Sequence, residues 1–213
     1  MGILRGKFNQ CDWLNDQDKI SLSAELDRIE NQLSDGVIYP KLENVLDVFT
    51  CLKLFPRIVI VGTDPYPDDR ATGIPFAVPD NYKRECPNTL KTLNRVFGFK
   101  RGTRSEWVKW MNDKHVLMLN KSLTKIPGRL TFRVWQKFIG AILKVIAKNG
   151  ASVTFWLMGR EAKMLKNFLN EYNCSVICTC HPSMAYCKSV AQNDCFKLIW
   201  EQIGSGHLKE GMK

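Results

Sequence analysis

No apolar run in the 213-residue sequence approaches the roughly 18 residues that a membrane span requires; the longest are short, such as residues 58–61. Histidine is scarce, with only His115, His181 and His207. No two of the eight cysteines are spaced C-x-x-C, which argues against zinc and iron–sulfur sites. Low-complexity tracts are missing, and 45% hydrophobic with 24% charged residues excludes a disordered or collagen-like chain. Acidic residues are outnumbered, 21 Asp+Glu against 31 Lys+Arg, for a formal net charge of +10. That excess suits nucleic acid, an anionic membrane surface or an acidic protein, nucleic acid being the commonest reason.

The chain does not open with a charged start, an apolar stretch and a small-residue cleavage site. The expectation is therefore an intracellular, cytoplasmic protein whose cysteines stay reduced and serve as small hydrophobes. Cys174, Cys178 and Cys180 alternate with other residues as in a strand.

Leu22, Leu26, Ile29 and Leu33 recur at helical spacing until Gly36 stops the pattern, and a second helix is predicted over 41–52. Residues 58–61 are a continuous β-branched run bounded by Pro56 and Gly62, the mark of a strand buried on both faces. The loop 62–81 is long and rich in Pro, Gly and Asp, a length that is usually functional or disordered. Asn88 or Thr89 is predicted to cap a helix carrying Leu90, Leu93 and Phe97, and a short helix follows over 105–112. A second strand spans 116–119 and the clearest helix 132–148, which carries Trp135, Phe138 and Ile142 on one face. A third strand spans 153–158, then comes a helix burying Met164, Leu165, Phe168 and Leu169. A fourth strand, 176–180, and a last helix with Phe196, Ile199, Trp200 and Ile203 complete the pattern.

Short apolar strands alternating with amphipathic helices imply an α/β fold in a single domain, with a four-stranded parallel or mostly parallel sheet and helices on both faces. Residues 1–55 form a helical N-terminal part, 56–203 the core and 204–213 a tail. In such sheets the ligand crevice lies beyond the carboxyl ends of the strands. Thr63-Asp64, Asn120, Gly159-Arg160 and His181 stand at those four ends. Taken alone, Asp64 before Pro65 or Asn120 at a strand end is as readily a turn former, and a histidine after a strand is more often structural.

Together these residues resemble a known family. Gly62-Thr63-Asp64-Pro65-Tyr66-Pro67 with Gly73-Ile74-Pro75-Phe76 is similar to the water-activating motif of family-1 uracil-DNA glycosylases. Residues 116–120, then Leu123-Thr124, resemble that family's uracil-reading strand, Trp135 falls where its long helix carries a tryptophan, and Trp156-Leu157-Met158-Gly159 matches a further segment. His181-Pro182-Ser183 opens a loop similar to the one that enters the DNA minor groove. The matches run in order over about residues 56–203. Thr63 stands where the family has glutamine and Pro67 where it has histidine, a divergent first motif nearest the poxvirus branch.

The resemblance implies hydrolysis of the bond between uracil and deoxyribose, without cofactor or metal. Asp64 would orient and deprotonate water beside a cationic sugar, and a neutral His181 would donate to O2 of the leaving base. Thr63, Tyr66, Phe76 and Asn120 would form the uracil pocket: Asn120 pairing with N3–H and O4, Tyr66 excluding a C5 methyl, Phe76 stacking. An extruded base requires DNA contacts. The resemblance places these at Pro87, Asn88 and Thr89 and at Ser183, Met184, Ala185 and Tyr186, while the helix-start amides after Gly159 and the charge of Arg160 suit phosphate oxygens. Ala185 occupies the family's leucine position, which leaves Met184 or Tyr186 as the wedge. Partners implied are uracil-containing single- and double-stranded DNA, with a proteinaceous glycosylase inhibitor or a replication protein. Three alternatives compete: a catalytically weakened uracil-DNA binder, a metal nuclease built on Asp64, Asp68 and Asp69, and a related glycosylase class that carries an iron–sulfur cluster.

Overall fold

The computed structural model describes residues 2–33, 36–129, 131–187 and 189–205, with the side chains of 185–195 and 205 left aside. Helices α1 (Ile3–Phe8), α2 (Asp16–Leu33) and α3 (Asp47–Cys51) precede β1 (Ile58–Gly62). Then follow α4 (Asn88–Phe97), α5 (Arg104–Lys114), β2 (Val116–Asn120), α6 (Phe132–Asn149), β3 (Thr154–Met158) and α7 (Arg160–Lys163). The chain ends in β4 (Ser175–Thr179), α8 (Pro182–Cys187) and α9 (Ser189–Ser205).

The sheet runs β2-β1-β3-β4 with every pair parallel. From β1 the chain goes first to one side, then crosses back to the other, so the order reverses between β1 and β3. That is where an open α/β sheet forms its crevice. Strands β2 and β3 are buried at every position, and β1 at all but its first, as their unbroken apolar runs require. At the edge strand β4, Cys178 faces out, and Cys180 beyond it is also exposed. These two thiols are not the small core hydrophobes expected of them. Cys11 does fit that description: it is fully buried, and burial pushes its thiol up to about 12.

Several boundaries differ from those read in the sequence. The predicted helix over 41–52 is a 3-10 turn at Leu42–Asn44 followed by the short α3. No side chain caps α4, whose preceding residue is Pro87, so neither Asn88 nor Thr89 acts as the cap. α5 starts earlier than predicted because Thr103 and Glu106 make a reciprocal capping box, satisfying two helix-end amides at once. α7 lasts one turn before a 3-10 stretch at Met164–Phe168, which turns Met164 outward at 57% exposure while Leu165 and Leu169 stay buried. α1 carries no periodic signal long enough to have been predicted.

The loop after β1 is fastened from behind. At Gly73 (φ 83°) an added Cβ would lie 2.0 Å from the Asn44 carbonyl oxygen, so the backbones touch where only glycine fits. Next to it the buried Asp47 accepts from Arg104 at 2.8 Å and pairs with Lys7, joining α1, α3 and α5. Asp47→Ala leaves two cations facing a void and is expected to cost ~3 kcal/mol in urea unfolding, the lower end for a broken buried pair. The exposed Asp12–Lys53 pair is the control: Asp12→Ala should change stability by less than about 0.5 kcal/mol.

Candidate active site

Backbone pairing sets the frame. Gly62 lies opposite Asn120 in the β1–β2 register, and beyond it Lys121 N–H donates to the Gly62 carbonyl and Ser122 N–H to that of Thr63, both at 3.0 Å. The β2 exit is stapled further in. Thr131 Oγ1 and Ser122 Oγ donate to the Thr124 carbonyl at 2.6 and 2.8 Å, and Trp135 Nε1 donates to Thr124 Oγ1 at 2.7 Å. On the other side Trp156 Nε1 donates to Thr179 Oγ1 at 3.0 Å, tying the middle of β3 to the end of β4.

Three recesses open around this frame. The first brings together Tyr66, Phe76 and Asn120, with Pro65 and Leu123 beside them. Asn120 is 3% exposed and its buried Oδ1 has no hydrogen-bond partner among the described residues. Tyr66 donates its hydroxyl to the Phe76 carbonyl at 3.1 Å, Arg70 sits over its ring at 4.9 Å, and burial pushes the phenol upward, so it remains protonated. Phe76 adopts φ 66°, uncommon for a residue with a side chain, and such strain clusters at functional sites. An added Cβ at Gly62 would stand 2.5 Å from Phe76 Cζ and 2.7 Å from Asn120 Oδ1. Both groups therefore converge on a position that must lack a side chain. The remaining volume is about 20 Å³, room for one water and not for a pyrimidine.

The second recess, about 310 Å³, holds Asp64 with Thr63, Lys121, Lys125, Thr131 and Phe132 among its lining residues. Lys125 donates to Asp64 Oδ2 at 2.7 Å. Lys121, with a side chain 5% exposed, donates to Glu161 Oε2 at 2.9 Å and lies over the Phe132 ring. That ammonium holds the Glu161 carboxyl below the usual carboxylate range.

His181 lies in the third, about 470 Å³, with Thr63, Gly159, Arg160 and Met184. Ser183 N–H donates to His181 Nδ1 at 3.3 Å and its hydroxyl is 2.8 Å from the same nitrogen. Nδ1 is thus an acceptor, and the neutral ring carries its hydrogen on Nε2. Burial pushes the imidazole below its ordinary value of 6.5.

Thr63 joins the second and third recesses and does not line the one that holds Tyr66, Phe76 and Asn120. Arg160 projects into solvent with 94% of its side chain exposed, and Met184 is 46% exposed. Pro87 and Thr89 are half-buried and Asn88 is exposed at the start of α4. The side chains of Ala185 and Tyr186 lie outside the described residues, as does His207, while half-buried His115 ends α5. Asp64, Asp68 and Asp69 do not converge on a metal: each has its own cation, Lys125, Arg70 and Arg84 respectively. Among the described residues no group of three His, Cys, Asp or Glu could hold one.

Two contributors carried no sequence signal. Lys125 lies on no periodic face and in no matched segment. Thr92 reads as one more helix residue, yet it is fully buried and its hydroxyl donates to the Pro182 carbonyl at 3.1 Å, linking α4 to the start of α8.

Residues 50–204 match the model of the uracil DNA glycosylase superfamily. A uracil-DNA glycosylase of Streptococcus gordonii is 31% identical over 162 residues, 73% of each chain, and that of Streptococcus sanguinis matches equally. Among solved structures, mimivirus UNG Y322L in complex with UGI superposes with a TM-score of 0.65 at 20% identity, covering 84% of this chain and 76% of that one. Wild-type UNG from Nitratifractor salsuginis gives 0.63 at 17% identity, covering 92% and 95%.

The depressed imidazole has a direct readout. His181 is expected to titrate below pH 6.5 in proton NMR, and Ser183→Ala to raise its midpoint; a wild-type midpoint at or above 6.5 contradicts the assignment. The unfolded chain takes that proton first, so stability should fall as pH drops below 6.5.

Proposed function

The chain belongs to the uracil DNA glycosylase superfamily, and from that premise we propose that Asp64, His181 and Asn120 carry its reaction. The protein hydrolyses the N-glycosidic bond of uracil in DNA, releasing uracil and leaving an abasic site. The bond between C1′ and N1 breaks with its electron pair leaving on the base, and the water oxygen then bonds to C1′. Positive charge develops on the sugar and negative charge on the uracil.

Asp64 is the carboxylate that faces the cationic sugar and directs and deprotonates the water. His181 donates from Nε2 to O2 of the leaving base. A neutral donor in a buried site needs no proton from solvent beforehand, and its hydrogen bond strengthens as charge builds on that oxygen.

The observation that carries this reading is the unpartnered Oδ1 of Asn120. A buried acceptor without a partner costs about 1–3 kcal/mol, which uracil N3–H can offset while the amide Nδ2 donates to O4. Cytosine presents the opposite pattern and would set acceptor against acceptor. Tyr66, fixed by Phe76 and Arg70, stands against C5, where a thymine methyl would collide; Phe76 forms the stacking wall. Because the pocket holds only about 20 Å³, base entry requires Phe76 and its neighbours to part. Thr63 acts on the sugar side of the site, through the two recesses it lines, and not on the base.

The DNA face consists of Pro87, Asn88 and Thr89 at the start of α4, Gly159 and Arg160, and Ser183 to Tyr186. Met184, exposed beside His181, is the apolar side chain that fills the gap left by the extruded base. The basic excess holds the backbone of both single- and double-stranded substrates. A proteinaceous inhibitor or a replication protein would compete for or extend this same face.

Uracil release from a single-stranded oligonucleotide in EDTA tests the reading. Asp64→Asn should slow it by ~100-fold or more, and absence of release at every salt concentration would overturn the assignment. Tyr66→Ala should gain release of thymine, and unchanged discrimination would remove Tyr66 from its role.

A further inference from the structure

Lys125 lies against the group on which the chemistry depends. Its Nζ is 2.7 Å from Asp64 Oδ2, and the two side chains are 28% and 29% exposed. Its backbone is immobilised: Lys125 N–H donates to the Tyr39 carbonyl at 2.7 Å, and Tyr39 N–H returns a bond to the Lys125 carbonyl at 2.9 Å. Only the four-carbon stem is free to swing. The neighbouring ammonium of Lys121 is committed to Glu161, so among the described residues Lys125 is the cation that answers Asp64.

Kept in place during the reaction, the Lys125 ammonium would oppose the positive charge forming on the sugar. Two unit charges about 5 Å apart in an effective dielectric near 20 translate into on the order of a hundredfold in rate. The pair is therefore suited to the free protein and unsuited to the transition state. Incoming DNA supplies the alternative partner, because phosphodiesters flank the extruded nucleotide on both sides and the recess beside the pair has about 310 Å³ in which the stem can turn.

We propose that Lys125 masks Asp64 in the free protein and passes to a phosphodiester oxygen of the DNA when the uridine is seated, unmasking the carboxylate for the cationic sugar. The proposal rests on the assignment of Asp64 given above. Its effect is that the catalytic carboxylate is free of its lysine counter-charge only when substrate is present.

The test is a double-mutant cycle of binding. The probe is a duplex whose target deoxyuridine bears a 2′-fluorine, which disfavours a cationic sugar and so resists cleavage. In Lys125→Met the slope of log affinity against log salt should become shallower by about one, the loss of one phosphate contact, and Lys125→Arg should restore it. Asp64→Asn should tighten binding at least about fivefold more when Lys125 is present than in the Lys125→Met background. An unchanged slope, or equal effects of Asp64→Asn in both backgrounds, overturns the hand-over. A tenfold or greater fall in the Lys125→Met cleavage rate at saturating enzyme also overturns it, because the lysine would then serve the reaction itself. If wild type releases no uracil while the binding cycle behaves as expected, the catalytic assignment of Asp64 fails and the hand-over stands.

Discussion

The in-register pairing of β1 with β2 is the constraint on which the site depends. Gly62 and Asn120 end their strands side by side, and the amide bonds from Lys121 and Ser122 to the carbonyls of Gly62 and Thr63 extend that alignment past the sheet. A slip of β2 by one residue would turn Asn120 to the opposite face and break its alignment with Gly62 and the residues that follow it. The buried apolar faces on both sides make such a slip expensive. Packing that serves stability thus sets the geometry of the chemistry, and Gly62 is where the two demands meet.

Asn120, Asp64 and His181 differ in how they wait for substrate. Asn120 Oδ1 is buried with nothing to accept, Asp64 is held by a lysine, and His181 is kept neutral by burial and by the donor on its Nδ1. In the proposed reaction each is thereby placed in a state that the substrate can improve: a hydrogen bond for the amide, a cationic sugar for the carboxylate, a developing anion for the imidazole. The tight aromatic wall at Phe76, with its strained backbone, adds a steric condition to these electrostatic ones.

Much of the fold was legible because its signals are local. Continuous β-branched and apolar runs mark strands buried on both faces, and the strand-end residues follow from topology. What escaped depended on contacts between distant segments. The helix predicted over 41–52 breaks because that stretch must lay the Asn44 carbonyl against Gly73 and bury Asp47 between two cations. The thiols at 178 and 180 look like core residues until β4 is known to be an edge. Thr103 and Glu106, in contrast, carried a readable capping signature that the apolar spacing of α5 overshadowed. In the site, Asp64, Asn120 and His181 stood out by position, whereas Lys125 meets Asp64 across 61 residues of sequence. Thr63 is grouped with the uracil-binding residues through the resemblance, at the position of the family's glutamine, and among the recesses described it lines those of Asp64 and His181.

The bond from Thr92 to the Pro182 carbonyl has a mechanical meaning. The segment beginning at Pro87 and the segment bearing His181 and Met184 descend from different strands, yet this buried hydroxyl locks α4 to α8. On the proposed DNA face, the two grips on the nucleic acid are thus joined through one buried hydrogen bond. If both segments grip DNA as proposed, a displacement of the strand at Asn88 reaches the segment of His181 through that bond, so compressing the backbone and positioning the imidazole are coupled.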